Sequence, residues 1–104
     1  MTILTVFRSR LRPEAESAYN SLACEMSQLA RNAPGFLEEK SFVATDGERV
    51  TIVLFSDDAS HAAWRDHPRH REAQERGKHE LYLEYQIYSA EIDYVASFSH
   101  DAVS

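Results

Sequence analysis

A single cysteine, Cys24, stands in the 104-residue chain. One thiol cannot close an internal disulfide, which excludes a disulfide-stapled secreted scaffold and suggests a reducing compartment, the cytoplasm. Glycine is scarce too, at Gly35, Gly47 and Gly77. Each falls at an expected turn or helix end, leaving none for a phosphate loop, a dinucleotide fingerprint or a nucleophile elbow. Lys and Arg number 11 against 17 Asp and Glu, a formal net charge of −6. Counterion displacement from nucleic acid needs clustered cations, so nucleic acid is not an expected partner. No apolar run approaches the ~20 residues a membrane helix needs, and the first residues lack the pattern of a signal peptide. A membrane is not an expected partner either.

What the chain does have is apolar and aromatic residues, 43% hydrophobic with five Phe, five Tyr and one Trp. That is too apolar for disorder and suits one core, so residues 1–96 read as one domain and 97–104 as a polar tail. Residues 2–11 alternate as a strand, with Ile3, Thr5, Phe7, Ser9 and Leu11 on one face and Leu4 and Val6 on the other. Pro13 suits a first helical turn, and apolar residues then recur at spacings of three and four from Ala15 to Ala33. Pro34-Gly35 stops that helix. Residues 36–56 read as a hairpin turning at Asp46-Gly47, with Phe36 and Phe42 sharing a parity. Ser56-Asp57-Asp58 offers a cap for a helix that Pro68 breaks in two, the second part ending at Gly77. Residues 81–95 close the chain as a strand in which Leu81, Leu83, Tyr85 and Ile87 share a face.

Strand, helix, two strands, broken helix and strand make an α+β, ferredoxin-like βαββαβ order with an antiparallel sheet. Two features suggest a homodimer. The first strand is apolar on both faces, and a 15-residue last strand would span about 50 Å, longer than a domain of this size. A bulge near Tyr88 would send its far half onto a second subunit, with Tyr82, Tyr88 and Tyr94 as dimer contacts.

The chain resembles the antibiotic biosynthesis monooxygenase family of dimeric α+β barrels over residues 2–94. The resemblance is carried by Pro34-Gly35-Phe36, Asp46-Gly47-Glu48-Arg49-Val50, Ala62-Ala63-Trp64-Arg65, His67-Pro68-Arg69-His70, Ala73-Gln74, Gly77 and the Tyr-rich last strand. It implies a homodimer with a ligand cavity between each sheet and its helices. The activity it implies is a cofactor-independent monooxygenase acting on a small aromatic substrate, hydroquinone-like or polyphenolic. A non-catalytic dimeric ligand-binding domain on the same fold is the alternative. In the family's heme-degrading branch an asparagine, a tryptophan and a histidine are used. Trp64 matches the tryptophan, but Phe7 and Gln74 stand where the asparagine and histidine would be, so no cofactor is expected.

His67 and His70 are the candidate catalytic bases, since imidazole is a base at neutral pH. In a continuous helix they would share one stripe with Trp64 and Gln74. The competing reading makes His67 a helix cap and His70 a solvated side chain. Candidate substrate contacts are Phe7, Phe36, Phe42 and Phe55, together with Trp64, Gln74 and Tyr85, each weighed against ordinary core packing. His61, His79, Asp66 and Glu72 lie near His67-x-x-His70 without ligand spacing, so no metal site is expected. Cys24 reads as a small buried hydrophobe.

Overall fold

The structure, a computed structural model, describes residues 1–100. Its elements are β1 (Ile3–Leu11), α1 (Glu16–Arg31), β2 (Phe36–Val43), β3 (Arg49–Phe55), α2 (Asp58–Arg65), α3 (Pro68–Arg76), a π-helical turn (Gly77–Leu81) and β4 (Tyr82–Glu91). The strands form one sheet in the order β2-β3-β1-β4, every neighbour antiparallel. This is the ferredoxin-like α+β architecture that the element order implies. No helix among the described residues is long and apolar enough to cross a membrane.

Alternation in β1 holds as read: Ile3, Thr5 and Ser9 are buried on the inner face, under the helices. With Val53 and Phe55 of β3, Ala30 of α1 and Leu81 of the π-turn they make a small core. Helix α1 starts later than Pro13 allows. Pro13 lies in a turn closed by the Ala15 amide on the Arg12 carbonyl (3.0 Å), so the helix begins only at Glu16. Helix α2 is capped by Asp57, whose carboxylate accepts from the Ser60 amide at 2.8 Å. Pro68 has no amide hydrogen to continue α2 and instead opens α3.

Two register shifts overturn the simple alternation in the edge strands. Phe36 pairs with Phe55 and Glu38 with Leu54, which leaves Leu37 as an extra residue. The bulge keeps Phe36 on the inner face but gives the next inner positions to Glu39 and Ser41, and Phe42 turns outward. In β4, Arg10 pairs with Glu84 and Leu11 with Tyr82, so Leu83 is the extra residue. The bulge thus lies at Leu83, and pairing is regular through Tyr88. It puts Tyr82 on the inner face with Tyr85 and Ile87, and leaves Leu83 exposed.

Two further expectations change. The last strand ends at Glu91, and its length matches β1 within one chain, so an overlong strand no longer argues for a second subunit. Gly77 does not end the helical segment; the backbone runs on through the π-turn to Leu81. A Cβ at Gly77 would come within 2.5 Å of the Tyr82 ring, so glycine is what lets that ring lie against the turn. Residues 97–100 carry no regular structure, and 101–104 of the expected tail lie outside the described residues.

Candidate functional site

Helices α1 and α3 stand off the inner face of the sheet and leave a half-open cavity of about 390 Å³. Its floor follows the sheet order, with Glu39 and Ser41 from β2, Thr51 and Val53 from β3, Thr5 and Phe7 from β1, and Tyr85 and Ile87 from β4. Helix α1 adds Tyr19, Asn20 and Ser27 among others, while Trp64, His70 and Gln74 form the α2–α3 wall. The two ends differ in character. Toward β4, Phe7 stacks on Tyr85 (5.4 Å between centroids) and meets Tyr82 edge-on (5.5 Å), while Tyr82 also meets Tyr19 (6.1 Å). Toward β2, Ser27 donates to Glu39, and the Ser41 and Thr51 hydroxyls pair at 2.8 Å. Burial pushes the Tyr19 and Tyr82 phenols up, so both stay protonated at neutral pH.

The helix break creates the environment of His70. The backbone is extended at His67 ahead of Pro68, which leaves the Arg65 carbonyl without a helical donor, and the Arg69 amide is instead accepted by His67 Nδ1 at 3.1 Å. That carbonyl lies 3.2 Å from Nδ1 of His70. A carbonyl can only accept, so Nδ1 carries the ring hydrogen and Nε2 keeps its lone pair. The imidazole packs against Trp64 with centroids 4.3 Å apart. Burial, the largest cause, lowers its pKa below the ordinary value; the bond to the Arg65 carbonyl opposes it, and the basic neighbours His67, His61 and Arg71 add to the lowering. His70 is therefore a neutral base with one assigned tautomer on the cavity wall. The Trp64 indole nitrogen is buried there without a hydrogen-bond partner.

Beside the cavity, between α2 and the floor, His61 is 4% exposed and its Nε2 lies 3.0 Å from the Thr5 hydroxyl. Thr5 in turn pairs with Ser89 at 2.8 Å, so the chain of polar groups is satisfied. Burial lowers the His61 pKa, and the ring stays neutral at pH 7.

Of the residues singled out in the sequence, the fold brings His70, Phe7, Trp64, Gln74 and Tyr85 together around the cavity. The others lie elsewhere. His67 caps α3 and faces a shallow groove between α2 and the end of α1, so it and His70 do not converge as paired ligands or bases. Phe55 is fully buried, packed against Phe36 and Trp64 as core. Phe42 lies on the opposite face of the sheet because of the Leu37 bulge. Cys24 is exposed at the cavity rim and is not a buried hydrophobe. Tyr82 belongs to the cavity; of the three tyrosines suggested as dimer contacts, Tyr88 and Tyr94 remain exposed. Glu39, Thr5, Tyr19 and Tyr82 are among the lining residues that the sequence did not mark as substrate contacts.

Comparison with known proteins agrees with this architecture. The sequence profile described as "Antibiotic biosynthesis monooxygenase" matches residues 2–76. The Bacillus subtilis (strain 168) protein YqjZ is 31% identical over 88 residues, covering 85% of this chain and 77% of YqjZ. Among solved structures, Rv0793 from Mycobacterium tuberculosis superposes with a TM-score of 0.82 at 19% identity, over 93% of this chain and 100% of that one. SnoaB, a cofactor-independent oxygenase from Streptomyces nogalater, superposes with a TM-score of 0.77 at 11% identity, over 90% and 95% of the two chains. At such identities the two structures speak for the fold alone. With the profile spanning most of its length and the fold in agreement, the chain belongs to the antibiotic biosynthesis monooxygenase family.

Proposed function

We propose that the protein is a cofactor-independent monooxygenase that oxidises a small hydroquinone-like or polyphenolic substrate with O2. One observation carries the reading: a neutral imidazole, with Nδ1 bound to the Arg65 carbonyl, stands on the wall of an aromatic cavity and keeps Nε2 as its base. A phenol of pKa about 10 gives up its proton slowly at neutral pH, and its anion is the species electron-rich enough to reduce O2. His70 takes that proton through Nε2. Oxygen then adds at a ring carbon that bears hydrogen. One oxygen atom stays as a second carbonyl, the other leaves as water, and the substrate supplies all four electrons. Phe7, Tyr85 and Trp64 hold the ring and keep water from the reduced-oxygen intermediate.

The same reading makes the protein a homodimer. The outer face of the sheet carries Leu4, Val6, Ile52 and Leu54 at its centre, with Phe42 and Tyr88 exposed on the flanking strands. An apolar face of this kind suits a second copy of the chain.

Oxygen uptake by the purified protein tests the activity, on hydroquinones, naphthols and anthrones with no added metal, flavin or heme. His70→Ala should lower kcat/KM by about 100-fold or more, the usual weight of a general base. His67→Ala should keep the wild-type rate, because its imidazole is a cap outside the cavity. Equal rates for His70→Ala and the wild type would remove the base from the mechanism. Calorimetric binding of the same compounds without uptake would favour the ligand-binding alternative.

A further inference from the structure

The two β-bulges fall in the two edge strands, and each turns into the cavity a residue that regular alternation would have turned away. The Leu83 bulge brings in Tyr82 at the β4 end, and the Leu37 bulge brings in Glu39 at the β2 end. Bulges that re-aim side chains are found beside binding and active sites. The outcome here is a cavity with two chemically distinct ends. Three interstrand steps separate β2 from β4, about 14 Å at ~4.8 Å each. The β4 end is a cluster of rings, Phe7, Tyr82 and Tyr85.

The β2 end holds a carboxylate that is largely shielded, with a side chain 16% exposed. Its Oε1 accepts from Ser27 and lies 3.7 Å from the Arg31 guanidinium. Among the described residues, Oε2 accepts no hydrogen bond. A carboxylate oxygen that no protein donor holds is a strong acceptor for an entering ligand, and a hydrogen bond to a charged group outweighs one between neutral groups. A second carboxylate brought there would meet like charge, since Arg31 is more than half exposed and sits on the Oε1 side.

We propose that the cavity selects an elongated aromatic ligand whose rings lie among Phe7, Tyr82 and Tyr85 and whose far end presents a hydroxyl or amino donor to Oε2 of Glu39. Glu39 is then the specificity-determining residue of the site. The proposal rests on the reading of the cavity as a site for an aromatic substrate, but not on that substrate's oxidation.

Isothermal titration calorimetry on the full-length protein tests it with matched bicyclic probes. These are naphthalene-2,6-diol, naphthalene-2,6-diamine, 2,6-dimethoxynaphthalene and naphthalene-2,6-dicarboxylate. The diol or the amino compound should bind at least tenfold tighter than the methoxy compound, which has no donor, and tighter still than the carboxylate; which of the two does so tells whether hydroxyl or amine is preferred. In Glu39→Leu the gap between diol and methoxy compound should vanish, with the methoxy compound bound as before. If that variant does not fold, Glu39→Gln keeps the shape and should shrink the gap without abolishing it. Equal affinities in the wild type, a gap unchanged in the folded Glu39 variant, or no binding by any probe would overturn the proposal. Selective binding of the diol without oxygen uptake would overturn only the monooxygenase reading.

Discussion

At the scale of single residues, the chemistry turns on how one imidazole is held. Burial keeps His70 from charging, so its folded pKa lies below the ordinary 6.5. The base is then competent throughout the neutral range, and kcat/KM should stay level through pH 7 and fall only on an acid limb below 6.5. A pH–rate profile checks this; a limb centred above 6.5 would contradict the assignment. The same shift has a sign in stability. His61 and His70 both bind protons more weakly folded than unfolded. Stability should therefore be full above pH 6.5 and be lost as pH falls through the lower folded values, with urea midpoints at pH 7.5 above those at pH 5.5. That a histidine of this segment would line the cavity was expected from residue type and spacing, and His70 does so. Which of the pair it is was not legible, because the answer depends on the Arg65 carbonyl. That carbonyl is free for His70 because α2 ends at Arg65 and the backbone is extended at His67, ahead of Pro68.

At the scale of elements, order and type were legible and edge-strand register was not. Hydrophobic periodicity marks β1 and α1, and the turn at Asp46-Gly47 and the break at Pro68 follow from residue chemistry. Bulges leave no such mark, because Leu37 and Leu83 are apolar residues that look like regular strand positions. Each inserted residue reverses the faces of its neighbours, which explains why Phe42 was expected inside and Glu39 and Tyr82 were not. The π-turn supports the second bulge by bringing Gly77 under the Tyr82 ring. Gly77→Ala should press a methyl group into that ring and destabilise the fold by about 1–3 kcal/mol, as overpacking does. Denaturant unfolding measures the cost, and near-ultraviolet circular dichroism should show the tyrosine cluster disturbed. An unchanged midpoint would mean the ring has room to move aside.

At the scale of the whole molecule, the sheet has one face covered by its helices and one without cover. At one end of the open face, beside its apolar centre, the Arg8 guanidinium grips Glu48 through two bonds of 2.9 and 3.0 Å, and Arg10 reaches Asp46 at 2.7 Å. An apolar middle with a charged rim is the anatomy of a subunit interface. Sedimentation should give about twice the 11.9 kDa chain mass, and Ile52→Asp, at the centre of the open face, should give the single chain. A wild-type monomer would instead leave that face to another partner.

The strand order also governs how the chain can fold. β1 is the first strand synthesised, yet its two neighbours are β3 and, last of all, β4. The backbone bond from Ile92 to the Thr2 carbonyl closes the seam between the first and the last strand of the sheet. Contacts so distant in sequence carry a high loop-closure cost and slow the search. A nascent chain that has not yet delivered β4 leaves β1 as a bare edge and the cavity without its tyrosine wall. Neither sheet nor binding site can therefore mature piecemeal, and both must wait for the final strand.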